Sequence, residues 1–468
     1  MPQIRQFSPR YSRLSRQRGQ ALIYGVFVLM AGLASLFFLF NTGQLSSEKT
    51  KLVNTADAVA YSAGVMHARA LNYEAYANRA MLANTVAIAQ LVSLSSWVQY
   101  ANNMSSFGFV LNNWQFTDDL ISYYAAQFLG PVLQESLLDT NALADLASGS
   151  DRIIRTLLMN AQQVAYDDLI PARKSVMNEV ARRNYLNDGT VTVDLMPSVS
   201  EFTDFVTPYS DSDRTRFAEV AKNSAYSDGF VNKRSWNLPG LGSDCPYAEG
   251  TLRWDFLTKR GGTELIGFDD WKSVDDLSAH MWVPANKTDI FCSALSEIPA
   301  GWGGQSAASS SSFDVDPAHY DRSLVVNPAA TTIAQADSSS WNYSGLPNFY
   351  ELAQGLLDKD EKTPPLLQFS IRLRRAISET MTSEGRSAIT PPSASVAQLR
   401  FNTYKATPAG GNEMVAVSGS EVYFERPETR SDGKKELASL FNPYWQVRLY
   451  RNKEDVKKAQ AMQGAVIP

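Results

Sequence analysis

RGQALIYGVFVLMAGLASLFFLFNTGQLSSEKTKLVNTADAVAYSAG, residues 18–64, opens with a run that no charged residue interrupts from Ala21 to Phe40. Twelve of those twenty positions are Leu, Ile, Val or Phe. At about 0.3 to 0.6 kcal/mol each, they favour a bilayer by about 4 to 7 kcal/mol. A helix of this length, rising 1.5 Å per residue, matches a hydrocarbon core of about 30 Å. Two other readings compete. A secretory signal has a shorter apolar region closed by a small-x-small site, which Phe40-Asn41-Thr42-Gly43 does not supply. A buried helix of a soluble protein is the other alternative, but this segment is apolar all round, without the polar stripe that a surface helix keeps. We expect a transmembrane helix, with Ala21, Leu22, Ile23, Phe27, Leu29, Leu33, Phe37, Phe38 and Phe40 in contact with membrane lipid.

Orientation follows from charge. Arg5, Arg10, Arg13, Arg16 and Arg18 precede the run without an acidic residue among them, and Glu48, Lys49 and Lys51 follow it. The positive-inside rule then places the N-terminus in the cytoplasm and the bulk of the chain outside. Cys245 and Cys292 are the only cysteines. In an oxidising compartment they are expected to form one disulfide, the alternative being two unpaired buried thiols.

Beyond the apolar run, Leu45 to Ser105 holds no proline, a single glycine (Gly64) and many alanines, a strong helix-forming composition. Gly43 and Gly64 are the expected bends. Small side chains let helices approach closely, so the alanine-rich face is expected to pack tightly, against this chain in preference to a neighbour. Helical pattern continues over 118–146, with a break at Gly130-Pro131, and over 152–185, where Pro171 suits a first turn. From Thr190 the period changes to two. Thr190–Leu195 reads as a strand, Gly261-Gly262 as a hairpin turn leading into 263–268, and residues 306–312 as a loop. The clearest alternation sets Leu367, Phe369, Ile371 and Leu373 against Gln368, Ser370, Arg372 and Arg374. Further strands are expected over 399–402, 413–417, 421–424 and 444–450.

The expected fold class is therefore α+β: an N-terminal transmembrane helix continuing into a helical stalk or bundle, then a mixed extracytoplasmic region ending in antiparallel β-sheet. In segments this gives a basic cytoplasmic tail (1–19), a transmembrane helix (20–40), an α-helical stalk or bundle (41–187), an α+β extracytoplasmic region (188–362) and a β-rich C-terminal region (363–468).

Chemistry is sparse. The net charge of -5 gives no global attraction for nucleic acid. His67, His280 and His319 lie far apart and in no zinc spacing, and the chain has no CxxC, phosphate loop or nucleophile elbow. Asp269-Asp270 with Asp275-Asp276, and Asp314 with Asp316, read as solvated acidic loops, since the EF-hand spacing is missing. Gly301-Trp302-Gly303-Gly304 reads as a turn. No metal, no cofactor and no enzymatic activity are expected.

Arg18-Gly19-Gln20-Ala21 entering the apolar run, followed by Leu52-Val53-Asn54-Thr55-Ala56-Asp57-Ala58, resembles the N-terminal segment of the TadE/TadG-like proteins of the Flp (tight adherence) pilus system. Gly19, Leu52, Ala56, Asp57 and Ala58 carry the motif. Leu440-Phe441-Asn442-Pro443-Tyr444-Trp445-Gln446 also resembles the C-terminal part of TadG-related chains. The resemblance implies a single-pass inner-membrane protein of a bacterial pilus or related secretion apparatus, acting through periplasmic contacts with other machinery proteins or with copies of itself. An adhesin or binding protein tethered to the envelope outside any pilus is the second reading. Two features depart from the family pattern: Tyr24 stands where processed pilin-like members carry Glu, and Asp337-Ser338-Ser339-Ser340-Trp341 fails the DxSxS metal motif at its fifth residue.

Overall fold

The computed structural model describes residues 18–112, 140–196, 202–239, 256–284, 292–308, 326–357, 364–381, 413–428 and 430–462. One helix, α1 (Arg18–Asn112), organises them. It carries no proline and runs without a break through Gly43 and Gly64, where bends were expected. Gly64 serves close approach instead. A Cβ there would collide with the Val447 side chain and come within 2.7 Å of Ser420 Oγ.

Against α1 lies a second helical run in three parts: α2 (Thr140–Arg152), a π-helical stretch over Ile153–Met159, and α3 (Asn160–Asn184). Pro171 lies inside α3 and not in a first turn. The run is antiparallel to α1. Tyr185 meets Lys51, Arg173 meets His67, Gln162 meets Asn78, and Leu143 and Ala147 share a core with Ile88, Ala89 and Val92.

α1 also packs on two sheets, and α3 shares the core of the first. The first combines β1 (Val191–Leu195), β9 (Leu367–Ala376), β10 (Glu413–Phe424) and β11 (Trp445–Tyr450) in the order β1-β9-β10-β11, all antiparallel. The alternation over 367–374 holds as expected: Phe369, Ile371 and Leu373 join Met414 and Ala416 of β10 in one core with Leu52, Ala56, Val59, Ala60 and Ala63 of α1. The alanines thus pack against this chain's own sheet. Residues 413–424 form one strand, where the sequence suggested two.

The second sheet has the order β3-β4-β5-β6-β7, from Trp236–Pro239, Phe256–Ile266, Asp270–Pro284, Cys292–Ala308 and Ser339–Asn342; only the β6–β7 pair is parallel. A third, two-stranded sheet pairs β2 (Val206–Tyr209) with β8 (Phe349–Leu352). Gly261-Gly262 is no hairpin turn, because β4 runs through it; the turn comes after Ile266, where Gly267 has φ 61°. The segment Gly301–Gly304 lies within β6, as do Ser306 to Ala308. Residues 240–255, 309–325, 382–412, the break at Gly130-Pro131 and His319 fall outside the described residues.

Candidate functional site: one helix between two environments

The first part of α1 is uncovered among the described residues. Leu22, Ile23, Phe27, Leu29, Leu33, Phe37, Phe38 and Phe40 are between 47% and 73% exposed, on every side of the helix, and Ala21 is exposed with them. Among the described residues this is the one helix long and apolar enough to cross a membrane, and none of its most apolar stretch is buried. Exposed apolar surface on this scale marks an interaction with something other than water. Arg18 opens the helix and Gly19 lies in its first turn, while Arg5, Arg10, Arg13 and Arg16 fall outside the described residues.

From Glu48 onward the same helix is tied down. Glu48 pairs with Arg375 and Lys49 donates to the Val415 carbonyl. The family-motif positions lie just above them. Leu52 and Ala56 are fully buried in the core with β9 and β10, and Asp57 accepts a hydrogen bond from Ser418 Oγ at 2.6 Å. Ala58 is half-buried, and its carbonyl accepts a hydrogen bond from Ser62 Oγ. The motif therefore joins the exposed apolar stretch to the first sheet.

Farther along, polar side chains of α1 take hold of other chain segments in turn. The Asn72 amide donates to the Trp445 carbonyl at 2.9 Å and accepts from the Trp445 N–H at 3.0 Å, and Asn78 donates to the carbonyls of Tyr350 and Leu440, both at 2.7 Å. The closing stretch 440–446, read above as family-like, is thus held directly by the first helix. Each of these carbonyls would otherwise be buried without a donor, which is costly.

At the second sheet the seam becomes charged. Strand β5 is buried on both faces, and its side chains alternate between them. Asp275 and Leu277 face α1, where Ser96 Oγ donates to Asp275 at 2.8 Å and Tyr100 packs with Leu277. Val274 and Asp276 face a helix over Pro328–Ala336, where Thr331 and Asn327 each donate to Asp276 at 2.7 Å. The expected solvated acidic loop is thus corrected for these two residues: both are fully buried, because each has donors waiting. Arg234 (2.6 Å) and Lys259 (2.7 Å) clamp Asp275. Burial pushes its carboxyl up, but the two cations outweigh burial and hold it below the usual range. For Asp276 burial wins, moving it up to about 6.

Glycines make this approach of helix to sheet possible. A Cβ on Gly303 would land on the Ser96 carbonyl and the Tyr100 N–H, and one on Gly301 would lie 3.0 Å from Met104 and Tyr100. Gly304 points the other way, 3.1 Å from the Ser338 Cβ and against the Ala334 carbonyl. Strand β6 is therefore gripped by backbone on both faces, which residues with side chains could not allow.

Two further ionisable groups of α1 are buried toward α3. His67 lies against Arg173 (3.1 Å) and stacks on Phe202; burial and the neighbouring charge push it down to about 3, so it is neutral. Glu74 has both carboxylate oxygens buried, and burial, only partly offset by the nearby Gln162 amide, raises it to about 8. Among the described residues no group of three His, Cys, Asp or Glu is placed to hold a metal ion. The expected Cys245–Cys292 disulfide finds no support: Cys292 begins β6 opposite Pro284, and Cys245 lies outside the described residues.

Comparison with curated proteins and with solved structures gives no match. Residues 19–70, which take in the exposed apolar stretch and the buried motif that joins it to the first sheet, match the family model described as "Putative Flp pilus-assembly TadE/G-like".

Proposed function

We propose that this chain is an inner-membrane-anchored assembly or structural component of a Flp/Tad-type pilus or related secretion apparatus. In this role it makes no or breaks no covalent bond; it acts through protein contacts. Residues 21–40 lie in the bilayer, the five Arg of the tail stay in the cytoplasm, and the folded part from Glu48 onward stands in the periplasm against other pilus proteins. One observation carries this reading. The segment matched by the pilus-assembly family is also the segment where α1 passes from apolar and uncovered to alanine-rich and packed along one face. A helix that was only part of a core would be covered along its length, and a removable leader would not run without a break into the central packing helix.

The test is purification of the full chain from its native membrane in mild detergent, with mass spectrometry of its N-terminus and of the proteins that accompany it. The expected result is an intact Arg18–Phe40 segment and copurified components of the pilus apparatus, including its ATPase or platform proteins. Recovery of the chain from the aqueous fraction, or from the membrane with no pilus component in any detergent, contradicts the proposal.

A further inference from the structure

The outer face of the α2–α3 run carries an apolar stripe that is uncovered among the described residues. Leu146, Ile153, Leu157 and Val164 are each between 43% and 61% exposed, and they recur at the seven- and four-residue spacings that keep side chains on one face of a helix. Beside them Asp168 is exposed and has no partner among the described residues. The outer face of α1 carries the complementary set. Tyr73 and Tyr76 are 42% and 63% exposed, flanked by Arg69 and Arg79, which are exposed and unpaired among the described residues. One end of the first set lies level with the second, and Leu157, Ile153 and Leu146 continue past it along α1. Because Arg173 meets His67 and Gln162 meets Asn78, Val164 stands at the height of Tyr73 to Tyr76, and Asp168 near that of Arg69 to Tyr73.

We propose that this chain associates laterally with a second copy of itself, the Arg69–Tyr73–Tyr76 stripe of one copy docking on the Leu157–Val164–Asp168 stripe of the next. The inference rests on the membrane reading above. Copies anchored by the same residues stand at one depth, so stripes that are level within one molecule are level between neighbours. The paired chemistry, aromatic and basic on one face, aliphatic and acidic on the other, selects a second copy as occupant. Tyr and Arg are favoured interface anchors. Two different patches in contact make a head-to-tail interface, which extends into a row or closes into a ring.

A photoreactive residue at position 164, in full chains of light and heavy isotope mixed in lipid nanodiscs, tests this directly. The expected product is a light-heavy adduct whose tryptic fragment is Ala70–Arg79. Val164→Lys, which sets a cation against Arg69 and Arg79 of the neighbour, read by sedimentation of otherwise native chains, weakens self-association at least about tenfold. Asp168→Arg lowers adduct yield, and Arg69→Glu added to it restores the yield. Absence of a chain-to-chain adduct, or an adduct only within one chain, for example to residues 113–139, or only to another protein in native membranes, overturns the proposal. Alkaline extraction of the same membranes separates the two readings: a chain that stays in the membrane without the adduct sinks the interface alone, whereas a chain released as soluble protein sinks the membrane anchor.

Discussion

Residues 21–40 and residues 52–104 belong to one helix, and they differ in what surrounds them. The first stretch is apolar on every side and none of it is buried among the described residues. In the second, alanine, serine and glycine face the sheets, and the polar side chains Asn72, Asn78 and Ser96 hold other segments by hydrogen bonds. Helix propensity is equally served in both. What separates them is the side-chain chemistry: large apolar groups suit a lipid solvent, which asks nothing specific, whereas small and polar groups suit a protein partner, which must be approached closely and hydrogen-bonded.

If that distinction is right, changes in the second stretch's partners act on folding and changes in the first act on membrane insertion. The largest expected effect is at the charged seam. Asp275→Ala leaves Lys259 and Arg234 as buried charges without their shared carboxylate, and should destabilise the folded part by about 3 to 5 kcal/mol in denaturant unfolding of the solubilised chain. Gly303→Val places side-chain atoms on the backbone of α1 at Ser96 and Tyr100; a loss of about 3 kcal/mol and release of that end of the helix to protease are expected. By contrast, Leu29→Arg should leave the melting of the folded part unchanged while costing insertion about 3 kcal/mol, seen as chain lost from the membrane on alkaline extraction. Equal damage to both readouts by either kind of variant would remove the distinction.

Glu74 sharpens it through pH. Its ordinary pKa of 4.5 is raised to about 8 in the folded chain, so between those values the folded state holds a proton that the unfolded state has lost. Stability should therefore fall as pH rises from about 4.5 to about 8, and Glu74→Gln should flatten that slope. A slope unchanged by the substitution would mean that Glu74 is not the group responsible. The smallest effect is expected at Asp57→Ala, which loses the single Ser418 hydrogen bond, for about 1 kcal/mol in the same unfolding measurement.

Much of this was legible in the sequence wherever one residue's neighbours in the chain decide its environment. The alternation over 367–374 requires one buried face, and that face is buried. The alanine-rich stretch had to be a helix with a close partner, and Ala56, Ala60 and Ala63 found one. The misreadings share a different origin. Gly261-Gly262 and Gly301–Gly304 look like turns, but each is glycine because of what the neighbouring element brings against it: Asp275 of β5 beside Gly261, and Ser96 and Tyr100 of α1 beside Gly303. Asp275 looked solvated because its partners, Arg234 and Ser96, lie 41 and 179 residues away. Pro171 suited a first turn locally, and packing against α1 carries the helix through it. Small residues in a strand flanked by buried acids are a usable signal that a helix backbone comes close, and Gly301 to Gly304 following Asp275-Asp276 was such a signal.

The most direct test of one helix in two solvents is a spin-label accessibility scan of full chains in lipid nanodiscs, with Cys245 and Cys292 replaced by Ser and a single label moved along α1. From Leu22 to Phe40 every position should be open to oxygen and closed to a water-soluble quencher, with no helical periodicity. From Leu52 to Tyr100, in nanodiscs holding a single chain, accessibility to that quencher should instead rise and fall with the turn of the helix, highest near Arg69, Tyr73 and Tyr76. Water-soluble quencher reaching positions 22–40, or a 3.6-residue period there, would show a protein-covered or solvated helix and contradict the membrane anchor.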